Sequence, residues 1–211
     1  MRRLPVYILI ETSGGMRGEK IVAVNNGLQV LISKLRQDPF ALESVAISII
    51  TFDREPKQIL PLVDLESLQV PIIDIAESSP PFTGKALLYL NQQLNIEIKR
   101  GTTEQKGDWR PLLFILTRGT PADKQDFREV IPKIKAQNFA TIVACSVGSH
   151  SSETELKELT DNIVHLDTAD SSTLMSFFKW VSASIGTGNK TVGTTENIAL
   201  PPPPQEVHLV I

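Results

Sequence analysis

Short apolar, β-branched runs alternate with longer segments of helical period from one end of this chain to the other. That alternation predicts an α/β fold, a doubly wound, mainly parallel sheet with helices on both faces. Strands are expected over residues 5–11, 45–52, 57–62, 111–117, 140–147 and 163–167, six in all. The second and third flank the turn Asp53-Arg-Glu55-Pro56, so they form a hairpin that leaves one antiparallel strand at a sheet edge. Helices are expected over 18–37, 83–98, 123–137, 153–159 and 171–185. In the first of them Ile21, Val24, Leu28, Leu31, Ile32 and Leu35 recur at helical spacing, and Thr83 is placed to cap the second.

In a sheet of this kind ligands bind outside the carboxyl ends of the strands, where the strand order reverses. The turns after Glu11, before Thr83 and after Thr117 are the candidates for that rim. The first runs Glu11-Thr-Ser13-Gly-Gly15-Met16-Arg17-Gly18, an acidic, hydroxyl-bearing and glycine-rich turn directly after an apolar strand. Its glycines do not complete a phosphate cradle. The spacing of a dinucleotide fingerprint is absent, and Thr83-Gly84-Lys85-Ala86 lacks both the preceding glycine and the hydroxyl of a nucleotide loop. Ser13 is not set in a Gly-x-Ser-x-Gly elbow, and His150, His165 and His208 have no evident companion acid beyond Asp167. No catalytic residue is assigned, and Asp53, Asp108 and Asp123 read as turn residues that satisfy backbone donors.

The turn after the first strand resembles the metal-ion-dependent adhesion site of von Willebrand factor A (VWA) domains. There an Asp-x-Ser-x-Ser turn, a Thr before a helix and an Asp from a Thr-Asp-Gly turn surround a divalent cation. The resemblance covers residues 4–185 and is closest to the bacterial tellurium-resistance TerY-like group. It is carried by Arg17-Gly18-Glu19, Ala23-Val-Asn-Asn-Gly27, Ser48-Ile-Ile-Thr-Phe-Asp53 and Lys106-Gly-Asp-Trp-Arg-Pro111. It implies a cytoplasmic, non-catalytic adaptor that binds protein partners, a kinase-like protein and a phosphatase of a stress-response system among them.

The adhesion-site positions are changed in this chain. Glu11 stands for Asp, Gly15 lacks a ligand hydroxyl, Pro81 stands at the Thr position with Thr83 two residues on, and Arg118 replaces an acid. Magnesium demands near-octahedral oxygen ligation, so Ser13 with a displaced Glu11 is a short ligand set, and a guanidinium at the same rim adds repulsion. The expectation is a degenerate site with no cofactor, in which Arg118 either pairs with Glu11 in place of the cation or stands in solvent. The alternative keeps a cation, magnesium, on Glu11, Ser13 and Thr83. The partner-binding rim is assigned to Thr12, Gly14, Met16, Arg17, Gly119 and Thr120 around these positions.

Composition sets the remaining bounds. At 211 residues one domain, 1–185, is expected, followed by a tail over 186–211 that is a flexible Gly/Thr linker and then a stiff proline run. The tail ends in Val207-His-Leu-Val-Ile211, which either folds back on its own sheet edge or adds a strand to a partner's sheet. A formal charge of −3 creates no field that would recruit nucleic acid, and no apolar run suits a signal peptide or a membrane span. The lone Cys145 lies in an apolar run and reads as a buried core residue.

Overall fold

The computed structural model describes residues 2–75, 79–148, 153–190 and 200–210. Its strands are β1 (Leu4–Glu11), β2 (Val45–Phe52), β3 (Pro56–Asp64), β4 (Leu112–Thr117), β5 (Thr141–Val147), β6 (Ile163–Leu166) and β7 (His208–Val210). The helices are α1 (Glu19–Arg36), α2 (Pro39–Ser44), α3 (Thr83–Glu97), α4 (Lys124–Ala136), α5 (Thr154–Leu159) and α6 (Ser171–Lys190). They surround one sheet of order β3-β2-β1-β4-β5-β6-β7.

All neighbours within β2-β1-β4-β5-β6 pair in parallel, whereas β3 and β7 close the two edges antiparallel. The order reverses between β1 and β4, which is the crevice where such sheets take ligands. β1 is buried at every residue because both of its faces are covered. Val6, Ile8 and Ile10 share a cluster with Leu28 and Leu31 of α1 and Phe178 of α6. Tyr7 and Leu9 share the opposite cluster with Leu87 and Leu90 of α3 and Phe127 of α4.

The sheet corrects the expected strand count. It has seven strands rather than six and two antiparallel edges rather than one, because the end of the tail lies beside β6. A bare β6 edge would expose unpaired amides and carbonyls, and β7 covers them. α6 continues through Lys190, beyond its expected end at residue 185. The expected linker falls largely on residues 191–199, outside the described residues. The segment after α1 is also not wholly loop. Asp38 accepts from the Phe40 and Ala41 amides and starts α2, with Pro39 in its first turn.

Two buried or capping groups yield direct expectations. Cys145 is fully buried in β5, and burial pushes its thiol pKa up. The thiolate is the reactive form, so native protein should resist thiol reagents that label it readily in denaturant. Asp170 starts α6 by accepting from the Ser172 and Thr173 amides, both at 2.9 Å. The Thr168 hydroxyl, then the Thr173 amide, hold its pKa well below the usual carboxylate range. A pKa lowered by folding contributes stability above the unfolded value of about 3.9 that is lost as pH falls below it. Asp170→Ala should therefore cost about 1 kcal/mol at pH 7, and urea titrations should show the gap narrowing below about pH 4.

Candidate functional site

The rim forms where β1 and β4, parallel neighbours from Val6↔Leu112 to Ile10↔Leu116, reach their carboxyl ends. Glu11 is the last residue of β1 and Thr117 the last of β4. The Glu11 carboxylate is 1% exposed and spans the crevice. One oxygen accepts from the Ser13 hydroxyl. The other accepts from the Thr117 hydroxyl at 2.7 Å and the Arg118 amide at 2.8 Å. Thr117 Oγ1 in turn accepts from the Gly119 amide at 3.2 Å, across a turn that Gly119 enters with φ 104°. Glu11 is thus a strut between two strand ends, and its extra methylene supplies the reach.

Of the two expectations for Arg118, the ion pair with Glu11 is not formed and the side chain is exposed. No side-chain salt bridge joins Glu11 to Arg118; the main-chain N–H of Arg118 makes the contact instead. The carboxylate is buried below the rim and already accepts from three donors, and a guanidinium sent there would have to shed its water. Arg118 is exposed and lies over Gly15. A Cβ on Gly15 would stand 2.1 Å from Arg118 Nη1 and 2.8 Å from its Cδ. The guanidinium therefore fills the space that a side chain at position 15 would need.

The rest of the turn is tied down locally. Met16 is fully buried under the rim, and its amide donates to the Ser13 carbonyl at 2.9 Å. Lys20 Nζ reaches the Gly15 carbonyl at 3.0 Å. Gly18 leads into α1 with φ 76°, a conformation that glycine adopts without strain. Thr12 is buried, Arg17 is exposed, and Gly14 is half-buried beside them.

Facing this turn, the Pro81 carbonyl accepts from the Ala122 amide at 2.8 Å, and the Phe82 amide donates to the Asp53 carbonyl at 2.7 Å. Thr83 does not cap α3. It is the first helical residue, and Asp123 caps the helix from the start of α4 by accepting from the Gly84 and Lys85 amides at 3.0 and 2.8 Å. Thr83 is fully buried, and its Oγ1 is the one buried side-chain polar atom without a hydrogen-bond partner among the described residues.

Residues 6–180 match the von Willebrand factor type A domain. The chain belongs to the VWA family. No curated protein sequence matches it, but solved structures share the fold. Proximal thread matrix protein 1 from the mussel byssus superposes with a TM-score of 0.68 at 13% identity, over 88% of this chain and 48% of that one. A von Willebrand factor type A protein from Catenulispora acidiphila gives 0.66 at 17%, over 87% and 42%. BatB from Bacteroides thetaiotaomicron gives 0.56 at 14%, over 89% and 100%. The chain thus spans less than half the length of the first two.

Within the VWA frame the ligand positions can be judged as donors. Glu11 and Ser13 are hydrogen-bonded to each other, Thr83 offers one further hydroxyl, Gly15 and Pro81 offer no side-chain oxygen, and Arg118 brings a cation. That set does not suit a hard divalent ion, which needs about six oxygens. Among the described residues no three His, Cys, Asp or Glu side chains gather as a metal nest elsewhere.

The other acids behave as turn residues. Asp53 accepts from the Glu55 amide, and Asp108 pairs with Arg3 at 2.7 Å and accepts from the Lys99 amide. A polar cluster beyond β5 has no counterpart among the sequence motifs. His165 Nδ1 lies 2.9 Å from Glu153 Oε1 and 3.0 Å from Ser146 Oγ, and its Nε2 lies 3.2 Å from Asp167. Ser, His and acid meet at triad distances, but Ser146 is fully buried and donates to Glu153 at 2.6 Å. With no substrate access and its proton committed to a carboxylate, Ser146 is a strut rather than a nucleophile. His150 lies outside the described residues.

Proposed function

We propose that this chain is a non-catalytic protein-interaction module whose adhesion rim has exchanged its metal ion for the Arg118 guanidinium. The observation that carries the reading is the fit of Arg118 over Gly15, with Nη1 2.1 Å from the Cβ that residue lacks. Loss of the hydroxyl and gain of the cation are two halves of one change. A planar guanidinium fork can grip a partner's carboxylate in two hydrogen bonds, the task that a cation performs in a metal-dependent adhesion site. VWA domains are typically interaction and adhesion modules. The TerY-like resemblance is what supports a role in a bacterial tellurium-resistance or stress-response assembly of the cytoplasm, with a kinase-like protein and a phosphatase as partners. No helix among the described residues is long and apolar enough to cross a membrane.

A second reading keeps a cation on Glu11, Ser13 and Thr83, and the unpartnered buried hydroxyl of Thr83 favours it. The mussel byssus protein has also been described with a zinc-occupied adhesion motif. Thermal unfolding with magnesium, manganese, calcium or zinc against a chelator separates the two. The melting temperature should stay the same throughout, because a ligand that binds only the native state must raise it. A rise of several degrees at millimolar ion would overturn the metal-free reading. Arg118→Ala should change stability by no more than about 0.5 kcal/mol, as for other surface substitutions, while abolishing rim-dependent partner binding.

A further inference from the structure

The end of the chain lies on a composite surface formed by α6 and the β6 edge. Ser176, Lys179, Trp180 and Ala183 follow i, i+3, i+4, i+7 spacing and so share one face of α6, along which Pro201–Pro204 run. Trp180 Nε1 donates to the Pro201 carbonyl at 2.9 Å. An aromatic donor beside a proline run is the arrangement by which extended proline helices are held. The chain then turns, with the Val207 amide on the Pro204 carbonyl at 3.0 Å, and enters β7. β7 lies antiparallel on β6 through Ile163↔Val210, Val164↔Leu209 and His165↔His208. Val207 is buried in one core cluster, Val210 packs against the other, and His208 Nε2 lies 3.4 Å from Asp167.

This seating has two halves, a proline cradle and a strand edge, and the tail fills neither completely. A shallow, open groove of about 370 Å³ is lined jointly by the prolines and the α6 face. Leu209 is 47% exposed, and the ladder is three residues long. Unfilled contact forfeits dispersion energy, so a segment with better complementarity would bind more tightly. Edge elements with few buried groups also open locally at a cost well below global unfolding.

We propose that the α6 face and the β6 edge form a receptor for an extended partner peptide, a proline run followed by a short apolar strand, and that residues 200–210 are its resident, displaceable ligand. The occupant seen in place defines the chemistry of the partner segment. The tail covers the edge until that segment arrives, and its departure leaves β6 free to take a partner's strand.

The test uses a fluorescent peptide of residues 200–211 and the full chain carrying Val207→Asp with Leu209→Pro, which unseats the tail. The peptide should bind that variant and bind the parent about tenfold or more weakly, since a site occupied in cis lowers apparent affinity by its free fraction. No binding to the folded variant up to about 1 mM, a very weak affinity, or equal binding to both proteins would overturn the proposal. Hydrogen exchange on the parent chain covers the case in which the variant fails to fold. The β7 amides that donate to β6 should exchange far faster than the ladder amides of β1 and β4, and equal protection would make β7 a permanent strand and sink the idea. A dimer with exchanged tails in light scattering and crosslinking would assign the surface to a second copy instead and equally overturn it.

Discussion

Glu11→Ala is expected to remove about 3 kcal/mol of stability, more than any other single change at the rim. Three donors lose their acceptor together, and a hydrogen bond to a charged group contributes about 1.5–3 kcal/mol net when the partner is left buried. The Ser13 and Thr117 hydroxyls can turn toward other acceptors, but the Arg118 amide cannot, which keeps the total below the simple sum. For a chain of this size the melting temperature should fall by about 6–12 °C. Glu11→Gln should lie near half of that, since one oxygen still accepts while the amide nitrogen faces a donor. Glu11→Asp is the informative case. Its arm is shorter by one methylene and cannot reach from β1 to Thr117 while holding Ser13, so it should also destabilise, although it restores the acid of the family motif. Urea unfolding of the three variants measures the series. A loss under about 1 kcal/mol for Glu11→Ala, as at an ordinary surface site, would mean that the carboxylate is not a strut and is available to a ligand.

The same strut shows where sequence reasoning stops. That Glu11 and Thr117 end adjacent strands was legible, because apolar β-branched runs bounded by turns mark strands and the family resemblance supplied their order. The identity of the donor was not. The charges of Glu11 and Arg118 suggested an ion pair, yet the contact is made by a backbone amide, which every residue but proline would supply at position 118. The direction of the guanidinium is set by a missing Cβ more than a hundred positions away in the chain, a relation that no local pattern encodes. Thr83 shows a similar limit. A hydroxyl at a helix start is a capping signal, but tertiary packing gave the cap to Asp123 and left Thr83 buried. β7 was legible only as an alternative: the apolar end Val207–Ile211 marked a segment that seeks a sheet edge, and the open edge of β6 decides that it pairs within its own chain. The acid beside His165 was hidden, since Glu153 comes from the segment leading into α5.

Gly84→Ala should be nearly as damaging as Glu11→Ala, by a different mechanism. Gly84 lies in the first turn of α3 against the start of α4, where an added Cβ would stand 2.4 Å from the Phe127 amide nitrogen and 2.7 Å from the Asp126 carbonyl carbon. These are main-chain atoms, which no rotamer change can move away. Relief requires the two helices to separate, which strips contact from Phe127 and Leu87 in the core behind them and pulls the Gly84 and Lys85 amides off Asp123. Overpacking of this kind costs about 1–3 kcal/mol, and the lost cap adds about 1. Gly15→Ala provides the control. Its nominal clash is closer, at 2.1 Å, but it falls on the end of an exposed arginine that can swing into solvent. Thermal melts should therefore rank Gly84→Ala far below Gly15→Ala, opposite to the order of the two distances. The displacement of α3 also moves the loop through Pro81, so partner binding at the rim should weaken in Gly84→Ala even at temperatures where the variant is folded. Equal melting temperatures for the two variants would show that α3 and α4 yield without loss, and that the rim is less rigidly positioned than their packing requires.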